Sequence, residues 1–323
     1  MKKILGFILL IFTMTSCYDD YVKDYKYNAV YFAYQYDVRT FVVGEGMQFD
    51  FGVGLGGTMT NSKQRVVTYS IDTTLITPAA LAAMKASSTT YIKSEMTPVG
   101  AISLLNPGYY SLTNGSKFII EKGQDAGKVT IRPDSAAFLA DPKSLIPNYV
   151  LPLRITSAGT DSILPLKRTI IIGIKYENML FGNYWHGGQT IRFTAANVAK
   201  DTLKYFTAIP SAESKVWVLK TTAPFELTVN GYSGITGTKQ ELKLALNGTT
   251  ISIGSAIAST FAYSASGDCV FNRAKLLQDR KIYLKYKYVD ATGYTCYATD
   301  TLTFRNRIRD GVNEWQDENP SHY

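Results

Sequence analysis

The chain has few of the residues that perform nucleophilic or metal-assisted chemistry. Its only histidines are His186 and His322, and its 323 residues include three cysteines. It has neither the HExxH motif that binds zinc nor the G-x-S-x-G motif that exposes a nucleophilic serine. We therefore predict no enzymatic activity, no metal and no cofactor. Glycoside hydrolysis stays open as an alternative, because two acidic side chains need only meet in space, about 5–10 Å apart.

One stretch matches a nucleotide-binding pattern. Residues 52–57, GVGLGG, follow the order G-x-G-x-x-G of dinucleotide-binding domains. The segment after it, residues 58–63, is a polar loop and not a helix. Because the pyrophosphate binds at a helix N-terminus, the sequence predicts no dinucleotide site here.

The aromatic residues offer a different chemistry, the binding of sugars. Sugars present apolar C–H faces that stack on exposed rings, and all three tryptophans lie in the second half of the chain. Trp185 is the leading candidate because it lies in a cluster of glycine and aromatic residues, although it could instead fill a domain junction or a barrel end. Trp217, between two valines, could equally be a core residue. The candidate ligand-binding residues are Trp185, Tyr184, His186, Trp217, Tyr232 and Trp315.

The elements that position these rings are predicted to be β-strands. In the first half, apolar residues alternate strictly with polar ones or glycine over residues 47–55, which is typical of a half-buried strand. Thr77 and Pro78 form the N-terminus of a short helix. Seven or more short strands predict a β-sandwich over residues 28–176. Sequential antiparallel strands over residues 177–323 predict an up-and-down barrel or a second sandwich.

The N-terminus predicts export and a lipid anchor. Lys2 and Lys3 precede an apolar run over residues 4–14, which is too short for a bilayer core that takes about 20 residues. The small residues before Cys17 resemble the cleavage site of bacterial lipoprotein signals. Residues 1–16 are therefore predicted as the signal peptide, Cys17 as the acylated anchor and residues 17–27 as a tether. An ordinary secretory signal is the alternative.

The residues after the anchor and the net charge bear on location and partners. Residues 17–20, CYDD, resemble the acidic tag of Bacteroidota surface lipoproteins, which implies an outer-membrane protein that faces the cell exterior. Without Lys2 and Lys3, 32 basic residues remain against 26 acidic ones, a net charge of about +6. An exported protein meets no nucleic acid, so the excess indicates either solubility or an anionic partner.

Four segments in order carry a family resemblance: FVVGE at 41–45, YVLPLRITSA at 149–158, GNYW at 182–185 and RDGVNEW at 309–315. The chain resembles two-domain Bacteroidota surface lipoproteins that begin with the domain of unknown function 1735. The resemblance implies an immunoglobulin-like domain followed by a lipocalin-like barrel. It also implies non-catalytic glycan capture beside a SusC/SusD-like importer, in the manner of SusE and SusF proteins. A fimbrial subunit is the alternative, although residues 316–321 are too polar for a donor strand.

Two cysteines remain once Cys17 carries lipid. Cys269 and Cys296 both lie in predicted strands of the second domain, and an even pair in an oxidising compartment is commonly a disulfide. The sequence also allows each to be a small buried residue with a free thiol.

Overall fold

A computed structural model describes residues 27–58, 60–205 and 215–316 of the chain. Within these ranges the protein is built mainly of short β-strands arranged as a sandwich followed by a barrel, which confirms the predicted all-β fold class. The predicted lipid anchor at Cys17 and the signal peptide lie outside the described residues, so both stay predictions.

The first half of the chain forms two packed sheets. Its strands are β1 (Ala29–Tyr31), β2 (Tyr36–Val43), β3 (Phe49–Gly56), β4 (Arg65–Ile71), β5 (Ser103–Leu104), β6 (Tyr110–Leu112), β7 (Lys117–Ile120), β8 (Ala126–Pro133), β9 (Tyr149–Ser157), β10 (Ser162–Ile163) and β11 (Thr169–Asn178). One sheet has the order β10-β1-β3-β8-β6, and the other has the order β2-β11-β9-β4-β7 with β5 added beside β9. Most neighbours are antiparallel, but β2 runs parallel to β11.

Alternation places the large apolar side chains of both sheets in one core. Phe51 on the first sheet packs edge-on against Phe118 on the second, with ring centroids 5.7 Å apart. Tyr69 lies 4.5 Å from the same Phe118 ring. These rings are almost fully buried. Burial of such side chains contributes roughly 1.5–3 kcal/mol each, so this aromatic layer holds the two sheets together.

Short helices cover the outer face of the second sheet. They are α1 (Pro78–Lys85), α2 (Thr90–Met96) and, at the sandwich edge, α3 (Ser135–Ala140). The predicted helix start is confirmed, because the Thr77 hydroxyl accepts a hydrogen bond of 3.0 Å from the Ala80 amide and Pro78 is the first helical residue. Met84 and Met96 are fully buried against Val38 of β2. Single 3₁₀ turns occur at Thr73–Leu75, Pro107–Tyr109, Pro142–Leu145, Pro165–Lys167 and Leu277–Asp279.

The second half of the chain forms an antiparallel barrel. Its strands are β12 (Gly182–Phe193), β13 (Ala199–Tyr205), β14 (Lys215–Ala223), β15 (Glu226–Val229), β16 (Gly231–Tyr232), β17 (Ile235–Thr236), β18 (Leu242–Asn247), β19 (Thr250–Ser255), β20 (Ser264–Ala265), β21 (Val270–Phe271), β22 (Lys281–Val289), β23 (Thr295–Arg309) and β24 (Val312–Glu314). The ring runs β12-β14-β15-β18-β19-β21-β22-β23, and β23 pairs back onto β12 to close it. Closure pairs most of these strands on both sides, and the link between β19 and β21 is a single position, Thr250 opposite Val270.

At Gly188, one edge of β12 changes its pairing partner from β14 to β13. Before this residue β12 pairs with β14, and from it onward β12 pairs with β13. Gly188 has φ +151, and an added Cβ would lie 2.1 Å from the Thr299 carbonyl oxygen. Only glycine fits this conformation against the neighbouring strand. The change of neighbour therefore occurs at a glycine in the segment where the sequence predicted the leading site.

The two halves are joined by a buried ion cluster. Glu45, in the turn after β2, binds Arg280 at 2.6 Å and Arg307 at 2.7 Å, and the three side chains are 1–2% exposed. Burial acts to raise the pKa of Glu45, but the hydrogen bonds and charges of Arg307 and Arg280 outweigh it and hold the pKa below its ordinary value. Val42, near the end of β2, packs into the barrel core. The domain limits at 28–176 and 177–323 stay predictions.

Candidate functional site

The alternation of β12 separates the predicted site residues. Tyr184 and His186 point into the barrel and are completely buried, whereas Trp185 between them points outward and is partly exposed. Tyr184 packs edge-on against Phe304 at 5.5 Å. Tyr184 and His186 therefore cannot contact a ligand at the barrel surface, which corrects the expectation that the whole cluster contributes to one site.

His186 belongs to a polar cluster inside the barrel. Its Nε2 lies 3.2 Å from Asp300 Oδ2, and neither side chain is exposed. The carboxylate of Asp300 also accepts hydrogen bonds from Tyr205 at 2.6 Å and from Tyr286 at 2.7 Å. Burial raises the pKa of Tyr286 well above its ordinary value, so its hydroxyl remains a donor. The Asp300 carboxylate is thus satisfied by two tyrosine hydroxyls, whereas the His186 ring nitrogens make no hydrogen bond within the described residues.

Trp217 is a core residue. Its ring stacks on the His186 ring with centroids 3.6 Å apart and planes 11° from parallel, and it is fully buried. Gly231 lies directly against it, since an added Cβ would approach the Trp217 Nε1 to 2.6 Å. The interpretation as a core residue is confirmed, and the assignment of Trp217 to a ligand site is corrected.

Tyr232 is packed among other rings near one end of the barrel. It makes edge-on contacts with Phe261 at 5.4 Å and with Tyr288 at 5.4 Å, and it lies 6.2 Å from Tyr263. Burial raises the pKa of its hydroxyl. Tyr232 is therefore partly exposed and contributes to the packing of this aromatic group.

Trp315 is the most exposed tryptophan, at 58%. It follows β24, whose Glu314 is in register with Arg307 of β23. Trp185 is in register with Thr303, which also lies on β23. Four residues along a strand span roughly 13 Å. Trp315 thus lies toward the junction of the two halves and apart from Trp185.

The outer face around Trp185 holds a second aromatic residue that the sequence analysis missed. Tyr283 of β22 points outward and is 40% exposed. Trp185 is in register with Thr303 and Lys281, and Gly187 is in register with Thr301 and Tyr283. Trp185 and Tyr283 are separated by two strand spacings across the sheet and by two residues along the strand direction. Their separation is therefore roughly 12 Å.

Small polar residues lie between the two rings. Thr301 and Thr303 point outward from β23, the strand that separates Trp185 from Tyr283. Gly187, in register with Thr301, adds no side chain to this face. The Arg305 guanidinium lies 4.7 Å from the centroid of the Trp185 ring. We call the set of Trp185, Tyr283, Thr301, Thr303 and Arg305 the outer aromatic face.

Asp37 and Asp310 are two partly buried acids close enough together to bear on the hydrolase alternative. Burial raises the pKa of Asp310 to about 6 and also raises that of Asp37. Arg39 lies between them, with its Nε 2.8 Å from Asp37 and its Nη1 3.6 Å from Asp310. Asp310 also accepts a hydrogen bond of 2.9 Å from the Thr40 amide. Since Arg39 fills the space between the acids, the pair acts as a structural contact.

The two cysteines are separate thiols and both are buried, which corrects the predicted disulfide. Cys269 Sγ contacts the backbone of Lys285 at 3.2 Å, whereas Cys296 pairs with Tyr288 on the other side of β22. Three residues along a strand span roughly 10 Å, which exceeds the Cα separation of about 4–7 Å that a disulfide allows. Burial raises the pKa of Cys296 to about 11, which keeps that thiol unreactive.

No helix in residues 27–58, 60–205 and 215–316 is long and apolar enough to cross a membrane. In the same ranges, no group of three or more His, Cys, Asp or Glu side chains is placed to hold a metal ion.

The sheets define an all-β multidomain protein, and one solved structure shares this fold. Residues 25–162 match a family model for an N-terminal domain. The chain is similar to a Bacteroides ovatus protein of unknown function, with a TM-score of 0.63 at 20% identity over 90% of this chain and 98% of that one. It also matches a B. ovatus multidomain protein including DUF1735, with a TM-score of 0.44 at 11% identity over 90% of this chain and 100% of that one. No curated protein matches the chain.

The first of these likenesses shows a shared fold across both halves of the chain. At 20% identity it carries no information on activity.

Proposed function

We propose that the protein is a cell-surface lipoprotein that binds carbohydrate on its outer aromatic face without turning it over. The observation that carries the proposal is the pair of partly exposed rings, Trp185 and Tyr283, on one face of three hydrogen-bonded strands. Rings on strands of a closed barrel are held rigidly, so binding costs little conformational entropy.

The polar groups of the face suit a sugar. Thr301 and Thr303 offer hydroxyls between the rings, and these can donate to and accept from sugar hydroxyls. The Arg305 guanidinium beside Trp185 adds donors at one end. A few polar groups between rigid apolar surfaces give both affinity and orientation.

The location of the protein is part of the same proposal. Cys17 would carry the lipid, and the tether at residues 17–27 leads directly to β1. The resemblance to lipoproteins with the domain of unknown function 1735 and a lipocalin-like barrel favours an outer-membrane position facing outward. There the protein would pass a glycan to a SusC/SusD-like importer.

Trp185→Ala should weaken glycan binding by at least about tenfold, which corresponds to about 1.4 kcal/mol. The reason is the loss of one of the two stacking rings while the outward position leaves the core intact. Isothermal titration of the mature chain against a panel of neutral and acidic polysaccharides measures the affinity.

Trp315→Ala is the matched control, because it removes an exposed tryptophan outside the outer aromatic face. It should leave the affinity unchanged, and thermal unfolding should show that both variants keep the wild-type fold. A folded Trp185→Ala with unchanged affinity, or a wild-type chain that binds no polysaccharide of the panel, would contradict the proposal.

A further inference from the structure

A row of lysines borders the outer aromatic face. Lys281, Lys285 and Lys287 all point outward from β22, on the same side as Tyr283, and all three are exposed. Alternate residues of a strand are roughly 7 Å apart, so the row extends for roughly 20 Å. Arg305 adds a positive charge on the neighbouring strand β23, close to Trp185.

In the part of the chain that the structure describes, the cations of this face form no close ion pair, although Asp268 and Lys285 both lie near enough to the Cys269 thiol to act on its pKa. In the described ranges, no carboxylate lies within 4.0 Å of these three lysines or of Arg305. The outward residues of β23 that face the row are Tyr297, Thr299, Thr301 and Thr303, none of which is acidic. Four cations on one exposed face create a positive potential that attracts polyanions.

We propose that the carbohydrate bound by the outer aromatic face is acidic, with carboxylate or sulfate groups that contact the lysine row and Arg305. This inference rests on the proposed function and names the class of its ligand. The sugar rings would stack on Trp185 and Tyr283, and a repeating negative charge would follow the row along β22.

The combination of groups separates an acidic glycan from other polyanions. A lipid surface or a duplex nucleic acid would bind through the cations alone. Neither would stack on two rings roughly 12 Å apart with hydroxyls between them. A neutral glycan needs the rings but not the cations. The guanidinium of Arg305 can also bind a carboxylate through two parallel hydrogen bonds, which fixes its orientation.

The test compares polymers that differ only in charge. Polygalacturonate and its methyl ester share one backbone, and alginate and chondroitin sulfate extend the acidic set. The mature chain should bind at least one acidic polymer about tenfold more tightly than the neutral polymers, since several partly screened ion pairs add to the stacking. Binding should weaken as NaCl rises, because salt screens exposed charges.

A triple variant assigns the effect to the row. Lys281→Gln, Lys285→Gln and Lys287→Gln together should weaken binding of the acidic polymer by about tenfold and leave neutral polymers unaffected. The control changes the same total charge elsewhere, with Lys117→Gln, Lys122→Gln and Lys143→Gln, which are exposed in the first half. That variant should bind like the wild type.

The outcomes distinguish this inference from the proposed function. Equal affinity for polygalacturonate and its methyl ester, with binding lost in Trp185→Ala, would overturn the acidic ligand and leave the glycan-binding function standing. No binding to any polymer would overturn both. Duplex DNA or anionic vesicles bound as tightly as the acidic glycans, with Trp185→Ala having no effect, would show a general polyanion surface and would also overturn the inference.

Discussion

Glu45→Ala should lower the free energy of unfolding by about 3–5 kcal/mol, the range for removal of one partner from a buried ion cluster. The carboxylate of Glu45 contacts both Arg280 and Arg307, and the three side chains are 1–2% exposed. Without it, two guanidinium groups stay buried with their main counter-charge lost. Chemical denaturation of the purified mature chain measures the change.

The control for this prediction is Asp201→Ala. Asp201 binds Arg192, and the Arg192 and Asp201 side chains are 26% and 37% exposed. Such exposed ion pairs contribute only about 0–1 kcal/mol to the free energy of unfolding. A loss in Glu45→Ala no larger than in Asp201→Ala would show that the buried cluster does not stabilise the junction.

Acid unfolding is a second test of the stabilisation by Glu45. Because its pKa is lower in the folded protein than its ordinary value of 4.5, its stabilisation is complete above that value. The stabilisation is lost as pH falls through the lower folded-state pKa. Glu45→Gln should therefore remove part of the acid dependence, in addition to lowering stability at neutral pH.

Asp300→Ala should lower the free energy of unfolding by at least about 3 kcal/mol, because hydrogen bonds to a charged group contribute about 1.5–3 kcal/mol each. The variant removes the acceptor for Tyr205 and Tyr286 and the carboxylate oxygen that lies 3.2 Å from His186 Nε2. Asp300, His186 and Tyr286 are buried inside the barrel, where water cannot replace the lost contacts.

Two further variants keep this prediction measurable if Asp300→Ala does not fold. Tyr286→Phe removes one donor and leaves the carboxylate with its other partners, so we expect a loss of about 1–3 kcal/mol. Thr299→Ala, on the exposed side of the same strand, should stay within about 0.5 kcal/mol of the wild type. Similar losses in Tyr286→Phe and Thr299→Ala would contradict a stabilising role for the cluster.

The fold class followed from short-range patterns. The period-2 alternation over residues 47–55 and the cap at Thr77 depend only on neighbours in sequence, and both occur as predicted. The same alternation runs through Lys281–Val289, where every second residue is buried. Reading its two faces separately would have identified Tyr283 and the lysine row as exposed.

Long-range contacts are what the sequence did not show. Asp300 meets His186 only because β23 closes the barrel against β12. The separation of Cys269 from Cys296 depends on which side of β22 each one packs. Two segments that carried the family resemblance, around Glu45 and Arg309, also meet at the junction, 3.7 Å apart. These similarities therefore concern the docking of the two halves and give no information on the ligand.

Hydroxyl-radical footprinting with mass spectrometry tests the glycan-binding face most directly. It measures the accessibility of individual side chains in the mature chain with and without saturating polysaccharide. We predict that Trp185 and Tyr283 become protected on binding, whereas Trp315 and Tyr34, which are 58% and 64% exposed, react as before. Demonstrated binding with Trp185 and Tyr283 still fully reactive would place the ligand elsewhere and contradict the account.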